Sequence, residues 1–261
     1  MRKFLIMALA CTWLFACKKE AVVQQTGPAV KTTPKLRTES LTTLSFSGYT
    51  WNVTSSGTGT QGPGPNHFSA SNAWVDANGF LHLKLAKNTT TGNWECAEVT
   101  LTQNLGYGAY QWKVEGAIDK LDKNVVFGMF NYSGNDGFDE MDIEYSRWGR
   151  KNNNNLDFTL YPQTGSTQSS VEVTALVTLS GTYTTHRITR HSNSSVDFQS
   201  IEGFHDDNTN VFAAKTWNNP PQSISSLSMP ILMNLWLFNG VAPSDKKNVE
   251  IIIHEFKFTP Q

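Results

Sequence analysis

The feature that most limits what this chain can become is a hydrophobic period of two, repeated in short runs. "FLHLKL" (80–85), "GAYQWKVEG" (108–116), "NVVFGMFNY" (124–132), "EMDIEYSR" (140–147) and "NLDFTLYP" (155–162) come first. "HRITRHS" (186–192), "VDFQSIEGF" (196–204), "PILMNLWLF" (230–238) and "VEIIIHEFKF" (249–258) follow. Val, Ile, Phe, Tyr, Trp and Thr supply these runs, and many alternate with polar residues, as half-buried strands do. No long helical period and no internal repeat interrupts them. Asn78-Gly79 predicts a two-residue hairpin turn before 80–85, and the four asparagines Asn152 to Asn155 predict a loop. Many short strands between turn signals predict an all-β sandwich or barrel. At 261 residues, 39% of them hydrophobic, the chain suffices for one domain with a sizeable core.

The N-terminus reads differently. Met1-Arg2-Lys3 is a short positive start, and Phe4 to Ala16 is an apolar run too short to span a bilayer. Residues 1–16 are therefore expected to be an export signal. Leu14-Phe15-Ala16-Cys17 resembles a bacterial lipobox, although Phe15 is bulky for its place; the alternative is an ordinary signal cleaved nearby. The resemblance implies that Cys17 is lipidated and that the protein sits on the cell envelope, touching the membrane only through that anchor. Residues 17–43 are rich in Pro, Thr, Gln and charge and read as a flexible tether. The domain is expected over 44–261. With Cys11 removed and Cys17 acylated, Cys96 has no disulfide partner. The 21 basic and 22 acidic residues form no basic cluster that could grip nucleic acid, whereas a neutral polymer is easily accommodated.

The stretch "GFDEMDIEYSRWG" (137–149) carries the chemistry. Glu140, Asp142 and Glu144 alternate with Met141, Ile143 and Tyr145. On a strand the three acids share one face, where like charges repel and raise one another's pKa. An EF-hand loop fails, because Tyr145 and Lys151 stand where it needs Gly and Glu. A merely solvated edge accounts poorly for Phe138 on the same parity and Trp148 just beyond. The third reading is a glycosidase site, for which two carboxyls about 5–5.5 Å apart suit a retaining mechanism. On a flat strand the Cα atoms of Glu140 and Glu144 lie about 13 Å apart. Two long side chains leaning inward on a concave sheet can close that gap. Other apparent motifs fail on context. Gly57 to Gly62 has the dinucleotide spacing but runs into "PGPN", and His254-Glu255 lacks a second His, with Phe258 in its place. No metal-ligand spacing and no G-x-S-x-G is present.

"DEMDIEYSRWG" closely resembles the active-site strand of the family-16 glycoside hydrolases, in the E-x-D-x-E form of the lichenases and xyloglucan transglycosylases. "GPNHFSASNAWVDANGFLHLKL", "CAEVTLTQNLGYGAYQWKVEG", "FGMFNYSG" and "MNLWLFNG" resemble further segments of that family, so the likeness spans roughly residues 60 to 258. It implies a concanavalin A-like β-jelly-roll sandwich of two antiparallel sheets with a glycan cleft on the concave face. It implies Glu140 as nucleophile, Glu144 as general acid/base, and Asp142 bonded to Glu140. Phe130, Tyr132, Phe138, Tyr161 and Trp236 match cleft positions that stack on sugars, and Asn66 and Glu98 match polar sugar contacts. For each of these residues core packing is the competing role. The chemistry implied is retaining endo-hydrolysis of a β-glucan-type polysaccharide, with mixed-linkage β-1,3-1,4-glucan first. A transglycosylase and a non-catalytic lectin-like module stand as alternatives. A monomer with no required cofactor and no catalytic metal is expected; a structural Ca²⁺ is left open. Thr100 where the family often has Arg, His191 for Trp, and Glu202 for Asp depart from the pattern around the substrate and not at the acids.

Overall fold

The computed structural model describes residues 42–192 and 194–261. The signal segment, Cys17 and the tether up to residue 41 lie outside the described residues. Among those described, sixteen strands follow in order. The first eight are β1 (Thr42–Phe46), β2 (Tyr49–Val53), β3 (His67–Phe68), β4 (Ala73–Val75), β5 (Leu81–Lys87), β6 (Trp94–Leu101), β7 (Gly108–Glu115) and β8 (Val125–Tyr132). The others are β9 (Glu140–Tyr145), β10 (Leu156–Tyr161), β11 (Val171–Ala175), β12 (Tyr183–His191), β13 (Ser195–Glu202), β14 (Val211–Asn218), β15 (Ile231–Leu237) and β16 (Val249–Pro260). All nine runs read from the sequence are strands. β1 takes in Thr42 and Thr43, placed by composition at the end of the tether, because they pair with Val53 and Asn52.

The strands form two layers. One runs β11-β10-β9-β8-β15-β6, with β2 and β1 beyond β6; the other runs β5-β16-β7-β12-β13-β14, with β4 beside β5. A short β5–β6 pairing, Ala86 with Glu95 and Lys87 with Trp94, joins them at one side. Every pairing is antiparallel except β3 with β6. Each layer turns its apolar positions inward to a shared core. Phe158 meets Phe198 at 5.6 Å between ring centroids, Tyr145 meets His186 at 5.4 Å, and Trp51 meets Phe256 at 5.3 Å. This is one of the two architectures, sandwich or barrel, that the strand pattern predicts, and its jelly-roll-like form is the one the family-16 resemblance implies.

Two local expectations are corrected. The turn before β5 spans residues 76–80, because the last pair is Val75 with Leu81. Asp76 widens it: its carboxylate accepts the backbone N–H of both Asn78 and Phe80 at 2.9 Å. Gly79 supplies a left-handed φ of 84° there. The alternation of β9 does not reach back to Phe138, because Asp139 has a φ of 50° and breaks the strand. Asp139 is fully buried, donates its N–H to the Pro162 carbonyl at 2.8 Å, and accepts the N–H and hydroxyl of Thr164. Asp tolerates this conformation better than a branched or bulky residue would.

Candidate active site

β9 is held by both its neighbours in a register that sets the site. Glu140 stands between Tyr132 and Tyr161, Asp142 between Phe130 and Thr159, and Glu144 between Gly128 and Asp157. Met141, Ile143 and Tyr145 point the other way and are fully buried. Burying side chains of this size stabilises the fold by about 1.5–3 kcal/mol each. That anchorage fixes which face the three acids occupy, since a slip of one residue would exchange the two sets.

The acids lie in a cleft of about 620 Å³ on the outer face of this layer. Phe130, Tyr132, Trp148, Tyr161, Leu232 and Trp236 supply its apolar lining, and Glu98 and Asn234 its polar remainder. Gly62, Pro63, Gly64, Asp136 and Gly137 form loop contributions to the same space. Gly128, opposite Glu144, keeps it open: a Cβ there would come within 2.6 Å of Asn234 Oδ1. Asn234 Oδ1 and Trp236 Nε1 are buried without a hydrogen-bond partner among the described residues. Buried polar groups are nearly always paired, and these two side chains line the cleft with that capacity unused.

The electrostatics follow from burial without countercharge. Among the described residues, no Lys, Arg or His lines the cleft. Burial, reinforced by Asp136, pushes Glu140 up to about 7, while a hydrogen bond with Asp142 pulls it back. Burial and the two flanking glutamates raise Asp142 well above the usual carboxylate range. Burial, then Asp157, Glu140 and Glu172, push Glu144 up to about 8. Glu98 is raised by burial and accepts hydrogen bonds from Thr54 Oγ1 at 2.9 Å and Asn234 Nδ2 at 3.3 Å. Near neutrality this row can hold one carboxylate ionised beside a carboxylic acid, the pair that nucleophilic and acid catalysis on a single bond require.

Solved structures share this architecture. The β-glucanase of Bacillus licheniformis superposes with a TM-score of 0.58 at 20% identity, over 81% of this chain and 92% of that one. A glycoside hydrolase family 16 endo-glucanase from Bacteroides ovatus gives 0.60 at 14% identity, over 80% and 94%. The fold is family-16 glycoside hydrolase-like. A pseudo β-1,3-glucanase of Mycobacterium tuberculosis has it too, with a TM-score of 0.60 at 14% identity over 81% of this chain and 91% of that one. No family model and no curated protein matches the sequence.

Within this family-16-like fold the cleft gathers Glu140, Asp142, Glu144, Glu98, Phe130, Tyr132, Tyr161 and Trp236. It does not gather Asn66 or Phe138. Asn66 is buried and donates to the carbonyls of Pro63 at 2.6 Å and Leu237 at 2.9 Å, so it ties the glycine-proline loop to the end of β15. Phe138 is carried off the line of β9 by the bend at Asp139. Beyond the loop residues Gly62, Pro63, Gly64, Asp136 and Gly137, the cleft also takes in Trp148, Leu232 and Asn234, to which the sequence assigns no role. Leu232 and Asn234 could have been found, because they alternate with Trp236 on one face of β15. Trp148 could not. It lies past the end of β9 with a φ of 49°, and packs at 6.2 Å from Trp236 and edge-on to Phe238 at 5.6 Å.

Proposed function

We propose that this chain is a retaining endo-glycosidase acting on a β-glucan-type polysaccharide, with mixed-linkage β-1,3-1,4-glucan as the first substrate to test. The observation that carries this reading is the row Glu140–Asp142–Glu144 on the floor of an open, aromatic-lined cleft, with no cationic side chain among the described residues that line it. Ionised Glu140 attacks the anomeric carbon while protonated Glu144 gives its proton to the departing glycosidic oxygen. A glycosyl ester on Glu140 results. Glu144, now a carboxylate, takes a proton from water, which attacks the same carbon and releases Glu140. Asp142, hydrogen-bonded to Glu140, favours the ionised nucleophile. The aromatic lining stacks on sugar rings, and Asn234, Glu98 and Trp236 Nε1 meet hydroxyls. The names of the B. licheniformis and B. ovatus neighbours support a glucan substrate.

The protein is offered barley-type mixed-linkage glucan, laminarin and xyloglucan, and the first product is followed by NMR before mutarotation. A β-anomer supports the retaining reading; an α-anomer rules it out. Transfer to added oligosaccharide in place of water would make it a transglycosylase. Binding without any cleavage would favour the non-catalytic reading, which the pseudo-glucanase neighbour keeps in view. The export signal and lipid anchor at Cys17 are part of the proposal: native protein should partition with membranes, and Cys17→Ser should release it or block its processing.

A further inference from the structure

Glu144 has a neighbour that the reaction just described does not use. Asp157 on β10 is its direct cross-strand partner. Side chains so paired have Cβ atoms about 4.5–5.5 Å apart on the same face. Asp157 is 3% exposed and forms no ion pair among the described residues. Its Oδ2 accepts the indole Nε1–H of Trp148 at 2.5 Å. Two carboxyls paired across neighbouring strands cannot both ionise without large repulsion, so the one that is given a hydrogen-bond donor takes the charge and the other keeps a proton. The indole decides which: its hydrogen bond favours an ionised Asp157, and no such donor is given to Glu144.

We propose that Asp157 is a positioning residue for Glu144, an anion held one strand away by the Trp148 indole that keeps the proton on the acid/base until the leaving oxygen takes it. The inference rests on the reading of Glu144 as acid/base. The groups facing Glu144 are few. Glu140 and Asp142 share its strand, Asp157 and the Tyr161 hydroxyl lie on β10 and Glu172 on β11, while among the described residues β8 and β15 set the uncharged Gly128 and Asn234 beside it. Glu140 and Asp142 are bonded to each other. Glu172 stands opposite Thr159 and is exposed, so its charge is better screened. Asp157 is therefore the anion best placed to act on Glu144. Its own carboxyl lies lower, at about 6 under burial, the indole bond and Glu172, against about 8 for Glu144.

The experiment is a ¹³C-NMR titration of glutamate-labelled protein, with the Glu144 carboxyl assigned by its loss in Glu144→Gln, run alongside the pH–rate profile. Asp157→Asn keeps an acceptor for the indole and removes only the charge. Its Glu144 midpoint should fall by about one pH unit or more, and the basic limb of kcat should move down equally. Asp157→Glu should restore both. Asp157→Ser is a second neutral variant should the first fail to fold. An unmoved Glu144 midpoint in the neutral variants overturns the proposal, as does an active enzyme whose basic limb stays in place. The titration needs no turnover: a protein that cleaves nothing but whose Glu144 midpoint falls keeps the Asp157 pairing and loses only the enzymatic reading.

Discussion

The two layers of the sandwich treat acidic residues in opposite ways. On the outer face of the second layer, acids are paired. Lys113 reaches Asp206 and Glu255, each at 3.0 Å, His254 reaches Glu115 at 2.7 Å, and His82 reaches Glu250 at 2.8 Å. Hydrogen bonds from Gln111 and Lys113 hold Asp206 below the usual carboxylate range. In and beside the cleft of the first layer, Glu98, Asp142 and Asp157 are buried and Glu140 and Glu144 half-buried; none has such an ion partner among the described residues, and all five are pushed up. The first arrangement is what a chain does with surface charge when only solubility and fold are at stake. The second works against folding at neutral pH, and it is the arrangement that the proposed acid chemistry requires.

The sharpest way to break this comparison is to remove the acids one at a time. Glu140→Ala should abolish turnover by several orders of magnitude while fold and glycan binding persist. Azide with an activated glycoside should then restore some activity and give an α-glycosyl azide, since the anion enters from the vacated face. Glu144→Ala should lose about 10²–10⁴-fold on natural substrates and little on those with good leaving groups. Azide should there give the β-glycosyl product. An active Glu140→Ala removes Glu140 from the site.

The next effect is smaller and tests the cleft wall. Trp236 is 6% exposed yet lines the cleft. Trp236→Ala should cost about 1–2 kcal/mol of transition-state binding, roughly five- to thirtyfold in kcat/KM. If instead the thermal transition collapses with no specific kinetic loss, the indole belongs to the core.

How much of this was legible in the sequence follows from which signals are local. A period of two with Val, Ile and aromatic residues made nine strands readable. β6, "WECAEVTL", has a weaker strand signal, because its two Glu and its Ala are poor strand formers; pairing with β15 and β2 supplies what propensity lacks. β14, "VFAAKTWN", lies at the edge of its layer and does not alternate. At the site, Glu140, Asp142 and Glu144 were legible because strand alternation alone puts them on one face. Asp157 shares that property with Tyr161, four residues on, and the same count would have found it. Phe138 misled because one left-handed residue, Asp139, cancels the parity. Asn66 misled because its carboxamide is spent on backbone carbonyls from parts of the chain 3 and 171 residues away, pairings no local pattern encodes.

A stability measurement sharpens the contrast between the layers. A carboxyl raised on folding helps the fold below its unfolded pKa, near 4.5 for Glu, and loses that contribution as pH rises through the folded value. Between about 4.5 and about 8 the folded protein holds the Glu144 proton more tightly than the unfolded chain does, so stability falls with rising pH. Glu144→Gln should remove this dependence: at pH 8.5 it should raise Tm by several degrees, on the order of 2 kcal/mol, and at pH 4 it should change little. Equal stabilisation at both pH values would mean that the carboxyl is not raised.

The smallest effect belongs to the other layer. Lys113→Met removes a cation that bridges two acids, yet one of these, Asp206, is largely exposed, and water with dissolved salt screens both. Exposed pairs of this kind contribute about 0.2–1 kcal/mol, so Tm should drop by at most a few degrees at low salt and hardly at all at 1 M. The pH dependence should run opposite to that of the cleft. Asp206 is lowered by its partners, so its contribution is present above its unfolded pKa, near 3.8, and is lost as pH falls through the lowered value. Wild type and Lys113→Met should therefore converge in acid, whereas wild type and Glu144→Gln should diverge as the solution turns alkaline. A large, salt-independent loss in Lys113→Met would mean that the outer face is as dry as the cleft, and the comparison between the two layers would fail.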